Sequence, residues 1–361
     1  MKICYLSDAN SVHTKKWCAF FKDFGYEIHV ISLNDGDIPG VKVHSLNLQV
    51  DNSNDKVMSK ANYFLYGHRV KKLVNEIKPD ILHAHYATSY GFLGGYTKYH
   101  PYIISVWGSD VYDFPRNNFL CRKFVEKNLS KADLVLSTSK VMAIETNKYT
   151  DKEIEITPFG VNTSVFKPKE NRYELKENIV LGTVKTLEKK YGIQYLIEAF
   201  ANVAKIHDNV FLEIAGNGSQ KEELINLCKE LGVENKVKFL GFINQEQVID
   251  AFNRFDIAIF PSVLDSESFG VAAVEAQACG AATIVSNAGG LPEATCPNKS
   301  SIVVEKANVK ELEAAIKKLV EDRDLRVSMG QYGRQFVLDN YDVNDNFSKV
   351  DRIYKEIYKL K

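Results

Sequence analysis

At 361 residues, with 45% apolar and 25% charged side chains, the chain has the composition of a soluble globular protein of about two domains. Lys plus Arg and Asp plus Glu balance at 46 each, which excludes a global field of the kind that draws a protein to nucleic acid. Any anion must be held by local placement of charge.

The N-terminal "MKICYLSDAN" reads as a strand followed by polar residues, without the apolar core of a signal peptide. No apolar run approaches the ~18 residues a spanning helix needs, so a cytoplasmic location is expected. Further strand-like runs are "EIHVIS" (27–32), "DILHAH" (80–85), "YIISVW" (102–107) and "DLVLST" (133–138), with amphipathic stretches at 13–24, 62–78 and 118–130. Strands apolar on both faces, alternating with helices, predict a parallel sheet covered by helices. The stretch 156–177, "ITPFGVNTSVFKPKENRYELKE", holds two prolines, a glycine and a charged run and reads as a linker. A second series follows: "NIVLGTV" (178–184), "VFLEIAG" (210–216), "KVKFLG" (236–241), "DIAIFPS" (256–262) and "ATIVSN" (282–287). The last segment, about 308–358, is helical and charged. The six cysteines (4, 18, 121, 228, 279, 296) show no C-x-x-C or mixed Cys/His spacing, which argues against a zinc site or a disulfide framework.

Ligands of open α/β sheets bind beyond the carboxyl ends of the strands. One such place is "LDSESFGVAAVEA" (264–276), where Glu267 and Glu275 flank a helix start made of small residues. A helix N-terminus offers unpaired N–H groups and about half a positive charge, which suits a phosphate. Glu275 lies roughly 7–8 Å along that helix at 1.5 Å per residue, and a carboxylate there can accept hydrogen bonds from both hydroxyls of a cis-diol. Taken singly, Glu267 reads as a solvated loop charge and Glu275 as an ordinary helix residue; their context decides.

With its surroundings, the stretch resembles the E-x7-E signature of the retaining glycosyltransferase family 4, the glycosyl transferases group 1. "FPSVLDSESFGVAAVEAQACGAATIVSNAGGLPEA" (260–294), "ITPFGVNTSVFKP" (156–168), "LGTVKTLEKKYGIQYLIEAF" (181–200), "LEIAGNGSQKEEL" (212–224) and "VKFLGFI" (237–243) are all similar to that family. The resemblance implies the α/β GT-B fold, with two tandem Rossmann-like domains facing a central cleft. Residues 1–165 would bind the acceptor and 166–341 the donor, while a C-terminal helix (about 342–361) would cross back to the first domain. It implies a retaining, metal-independent glycosyltransferase of the hexosyltransferase type, acting in cell-surface polysaccharide or glycolipid synthesis. The donor would be a UDP- or GDP-linked sugar, with no cofactor and no metal.

By the same resemblance Glu275 would bind the ribose, and Glu267 with the backbone of Phe269 and Gly270 the transferred sugar. The helix start including Val271 would cradle the diphosphate. Gly216 and Gly218 would leave room for the nucleoside, with Phe242 and Ile243 beside the base. The family carries Arg and Lys where this chain has Thr183 and Tyr191, so an offset assigns the charge on the diphosphate to Lys185 and Lys190, with Lys189 nearby. No side chain is an evident nucleophile. Attack from the leaving-group side, with the phosphate as base, is the implied route.

In the first domain, "SDANSVHTKKWC" replaces the family's glycine-rich loop. Ser11, His13 and Thr14 are candidates to hydrogen-bond an acceptor or a phosphate; Ser11 is equally readable as a helix cap. His83 and His85 share one strand face, and one of them, His85, is expected to line the cleft; no third metal ligand is evident. "ISVWGSDVYDFP" matches the family's His-Gly-x-Asp loop with Trp107 at the histidine position and Asp110 retained, capping or lining the cleft.

The D-x-D triplets "DGD" (35–37) and "DRD" (322–324) lack the strand-end setting of a metal-dependent transferase and read as turn and cap residues. Sugar-nucleotide 2-epimerases share the architecture, but the E-x7-E context argues against them. The alternative of another class is a non-catalytic nucleotide-sugar-binding homologue, against which the retained Glu267, Glu275 and lysines count. The acceptor would be a glycan, a lipid-linked glycan or a small molecule. The basic stretch "HRVKKLVNEIK" (68–78) allows peripheral contact with the inner membrane face.

Overall fold

The computed structural model describes residues 1–47 and 60–359. It divides into two compact units, Met1–Phe159 with Asn346–Lys361, and Gly160–Asp345. The boundaries fall a few residues before 165 and after 341, where the sequence reading put them. Residues 360 and 361 of the expected C-terminal helix lie outside the described residues.

Among the described residues, the first unit holds seven strands: β1 (Lys2–Leu6), β2 (Glu27–Ser32), β3 (Lys42–Ser45), β4 (Ile81–His85), β5 (Tyr102–Val106), β6 (Leu134–Ser137) and β7 (Ile154–Ile156). Their spatial order is β3-β2-β1-β4-β5-β6-β7, all parallel. Six strands form the second sheet: β8 (Ile179–Val184), β9 (Val210–Ala215), β10 (Val237–Gly241), β11 (Ile257–Phe260), β12 (Ala282–Ser286) and β13 (Ser301–Val304). They run in the order β10-β9-β8-β11-β12-β13, again all parallel. Each sheet is the doubly wound arrangement that alternating buried strands and helices predict. The expected strands are present; β3, β7 and β13, only three or four residues long, were not anticipated.

The second unit's core shows why its helices form. Ile193, Leu196, Ile197 and Phe200 recur at helical spacing on the helix Ile193–Ala204, as do Leu312, Ala315, Ile316 and Leu319 on Val309–Glu321. Both stripes pack on Leu181, Leu212, Ile214 and Ile257 of the sheet. Each leucine, isoleucine or phenylalanine of these stripes contributes roughly 1.5–3 kcal/mol on burial.

The supposed linker 156–177 needs correction. Val161 pairs with Asp342, and Arg172, only 5% exposed, is a structural tether of the second unit. Its guanidinium donates to the carbonyls of Asn253, Phe255 and Gly280 at 2.5–3.2 Å. Only the first part of that stretch belongs to the first unit.

The C-terminal helix Val343–Lys359 packs, from Asn346 onward, in the first unit. Phe347 meets the Trp17 ring edge-on at 5.2 Å, and the Tyr354 hydroxyl hydrogen-bonds with His83 Nδ1 at 2.6 Å. His83 Nε2 hydrogen-bonds with Ser105 Oγ at 2.8 Å. Burial pushes the His83 pKa down to about 3 and holds His85 well below its usual value. Above about pH 6.5 both are neutral whether folded or not, so they cost nothing there. Below it the unfolded chain takes up protons that the folded one refuses, and stability falls as pH drops toward 3. From pH 6.5 to 5.5, above the carboxylate range, each histidine should cost about 1 kcal/mol. Urea-unfolding midpoints at these two pH values check this; an unchanged midpoint would refute it.

Candidate functional site

The second sheet changes winding direction between β8 and β11, its two central strands. The loops leaving their carboxyl ends therefore diverge and open a crevice. After β8 the chain runs through Lys185 to a short 3-10 turn, Lys189–Tyr191. After β11 it runs through Ser262 and Glu267 into the helix Val271–Ala278.

These two loops meet at an ion pair. Lys185 Nζ lies 2.6 Å from Glu267 Oε2, with the side chains 17% and 9% exposed. Ser262 Oγ donates to the same oxygen at 3.1 Å. The Lys185 ammonium also lies 4.5 Å from the centre of the Tyr191 ring, and that of Lys190 lies 5.0 Å from it. Lys189 and Lys190 are exposed, and the Lys190 carbonyl accepts from Val263 N–H at 2.9 Å, binding the two loops together.

The Glu267 loop is braced from behind by the loop after β12. Gly290 N–H donates to the Glu267 carbonyl at 2.8 Å. A Cβ at Gly289 would come within 2.3 Å of the Glu267 carbonyl oxygen, and one at Gly290 within 2.2 Å of that of Ser268. Only glycine permits that approach. Asp265 accepts from Lys306 Nζ at 2.7 Å and from Gly289 N–H at 3.3 Å, fixing the same loop at its start.

The helix Val271–Ala278 begins after Gly270, which has no side chain to cap it; the Ala273 N–H turns back to the Gly270 carbonyl at 2.9 Å. Glu275 is its fifth residue and is partly exposed. Phe269 is 2% exposed and packs edge-on against Tyr341 at 5.2 Å, which leaves its backbone as the part that can serve a ligand. Gly216 and Gly218 have a packing duty: a Cβ would lie 1.9 Å from the Lys185 carbonyl oxygen and 2.3 Å from that of Leu187. They let the Lys185 loop lie on the end of β9. Phe242, directly after β10, is 81% exposed, and Ile243 is partly covered. The exposure excludes a core role for Phe242.

The first sheet has its own change of direction between β1 and β4. Here Ser11 caps the helix Val12–Asp23 by accepting from Thr14 N–H at 3.5 Å. Thr14 is corrected from a ligand contact to a buried partner of Ser7 Oγ, at 2.6 Å. His85 is likewise corrected: it is 0% exposed, hydrogen-bonds with Ser7 Oγ at 2.9 Å, and lies beneath the Trp107 ring at 4.3 Å. Period-2 spacing put His83 and His85 on one face, but that face is covered. His13 stacks on Phe159 at 4.1 Å, and burial with the nearby Lys16 charge lowers its pKa to about 4. Asp110 caps, as one of its two expected duties: its carboxylate accepts from the N–H groups of Ala87 (2.8 Å), Gly108 (2.9 Å) and Trp107 (3.2 Å). It ties the loops after β4 and β5 together, while burial raises its pKa. Of the triplets, Asp322 caps the helix Arg323–Asn340.

Sequence reasoning noted Tyr191 only as the residue at the family's lysine position and missed Ser262, the Asp265–Lys306 pair and the brace of Gly289 and Gly290. All but Lys306 lie inside stretches whose pattern was already singled out.

Residues 166–336 match the family model of glycosyl transferases group 1, and residues 2–139 match that of glycosyl transferase 4-like proteins. The chain belongs to this glycosyltransferase family and has the GT-B fold. It is similar to D-inositol 3-phosphate glycosyltransferase of Corynebacterium jeikeium, 31% identical over 237 residues, or 60% of this chain and 55% of that protein. It is also similar to a GDP-mannose-dependent alpha-(1-6)-phosphatidylinositol monomannoside mannosyltransferase of Mycobacterium tuberculosis, 30% identical over 196 residues and 51% of each chain. The matches thus span about half the length of these relatives. Among solved structures, Anabaena HepE in complex with UDP aligns with a TM-score of 0.84 at 17% identity, covering 99% of this chain and 100% of that one. At that identity the likeness speaks for the fold.

Proposed function

We propose that the protein moves a sugar from a nucleoside-diphosphate sugar to a hydroxyl acceptor, with retention of anomeric configuration and without a metal or cofactor. The observation that carries this is the Lys185–Glu267 pair beside the uncapped start of the helix Val271–Ala278. A cation at Glu267 and, three residues on, a helix N-terminus without a side-chain cap support a diphosphate there. Glu275, one turn further, is placed to accept from both ribose hydroxyls, and Glu267 to hold the transferred sugar. Phe242 offers its exposed ring to the base, with Ile243 beside it.

The acceptor oxygen forms a bond to the anomeric carbon on the face from which the diphosphate departs. Its proton passes to the leaving phosphate oxygen. Relatives named for inositol phosphate and phosphatidylinositol mannoside acceptors support a glycolipid or polysaccharide product, and HepE's UDP together with a GDP-mannose relative supports either nucleotide. Among the described residues, no helix is long and apolar enough to cross a membrane; a lipid-linked acceptor would be met at the membrane surface.

Thermal unfolding with UDP, GDP and ADP tests the donor site. At 100 times its dissociation constant the correct nucleotide should stabilise the wild type by about 2.7 kcal/mol, and Glu275→Ala should lose most of that shift. No shift with any nucleotide at millimolar concentration would refute the reading, and an inverted product anomer by NMR would refute retention.

A further inference from the structure

The position that carries a lysine in the resembled family is Tyr191 here, and its ring touches two cations at once. Lys185 Nζ is 4.5 Å and Lys190 Nζ 5.0 Å from its centre. Lysine side chains are long and flexible, and two like charges repel, so both remaining beside one ring requires an attraction. The negative face of an aromatic ring supplies it. The tyrosine is itself held: it packs partly buried against the second unit's core, in the turn that Lys190 O ties to Val263 N–H. Lys185 is further aligned by Glu267, whereas the Lys190 ammonium lies against the ring at 5.0 Å.

We infer that Tyr191 is a positioning residue that gathers Lys185 and Lys190 into a two-cation clamp for the two phosphates of a nucleoside diphosphate. This rests on the donor site proposed above. The turn thereby restores with two lysines and one ring the pair of charges that the resembled family supplies from the positions of Thr183 and Tyr191. Thr183 is buried in β8, so the missing charge cannot come from its own place in the strand. A ring that orders cations discriminates by phosphate count. It favours a diphosphate over a monophosphate and has no preference for the nucleoside.

The test is calorimetric binding of whichever of UDP or GDP the wild type takes, and of the matching monophosphate, to Tyr191→Phe and Tyr191→Leu. Tyr191→Phe keeps the ring and should bind both as the wild type does. Tyr191→Leu should weaken the diphosphate roughly tenfold and the monophosphate by much less. Lys190→Ala guards against misfolding as the cause: in that background Tyr191→Leu should have a clearly smaller effect. Equal binding of the diphosphate by Tyr191→Leu and wild type, or equal losses for both nucleotides, would overturn the inference while leaving the donor site intact. Absence of nucleoside-diphosphate binding by the wild type would overturn the donor site and the clamp with it.

Discussion

Lys185→Ala should lower kcat/KM for the donor by about 100- to 1,000-fold, the usual cost of removing one preorganised group that stabilises developing negative charge. The side chain is only 17% exposed, lies 2.6 Å from Glu267 and is flanked by Tyr191, so its charge acts where water screens poorly. Two effects add. The departing diphosphate loses its nearest proposed counter-charge, and Glu267 keeps only Ser262 Oγ among the partners described above for its carboxylate. Lys185→Arg, which keeps the charge, should recover a large part of the loss. Steady-state kinetics with the donor found by thermal screening measure this, and a fall of less than fivefold in Lys185→Ala would remove Lys185 from the proposed machinery.

The largest effect on stability should come from a residue far from that chemistry. Arg172→Ala removes a nearly buried guanidinium that satisfies three backbone carbonyls, those of Asn253, Phe255 and Gly280. Those carbonyls precede or follow the elements that carry the crevice: Asn253 and Phe255 lead into β11, and Gly280 leads into β12. A buried acceptor left without a donor costs about 1–3 kcal/mol, so the substitution should destabilise the second unit by about 3–5 kcal/mol. Burial lowers the Arg172 pKa, but it remains a cation near Asp256. Both tryptophans, Trp17 and Trp107, lie in the first unit, so chemical denaturation followed by circular dichroism should show in the variant a transition that precedes the change in tryptophan fluorescence; a loss below about 1 kcal/mol would mean that water replaces the guanidinium.

The architecture was legible because both sheets are parallel and covered on both faces. Runs such as "DILHAH" and "DIAIFPS" then stand out as unbroken apolar segments. β3, β7 and β13 were illegible for the opposite reason: "KVHS", "IEI" and "SIVV" are too short for periodicity to separate them from loop. Arg172 was hidden because a charged residue in the charged run after Pro168 reads as solvated, and only the fold places three carbonyls around it. Alternation correctly paired His83 with His85, yet which face of a strand is covered depends on helices elsewhere in the chain. At the crevice, the spacing of Glu267 and Glu275 was visible in the sequence. The offset reading gave Lys185 and Lys190 to the diphosphate and noted Tyr191 only as the residue at the family's lysine position; that Lys185 meets Glu267, and that both lysines lie against the Tyr191 ring, follows only from the loops after β8 and β11 lying side by side.

The glycines at the crevice have a consequence for how such a protein can be built. The Lys185 loop rests on the end of β9 through Gly216 and Gly218, and the Glu267 loop rests on Gly289 and Gly290 beyond β12. Four loops from four different strands thus interlock through backbone alone, each at a distance no side chain would allow. A fragment ending before β12 would leave Glu267 unbraced, and a strand slipped by one residue would push the loops apart. The geometry of the crevice is therefore a property of the sheet in full register. A shortened version of this half would lose the backbone supports on which the Glu267 loop rests.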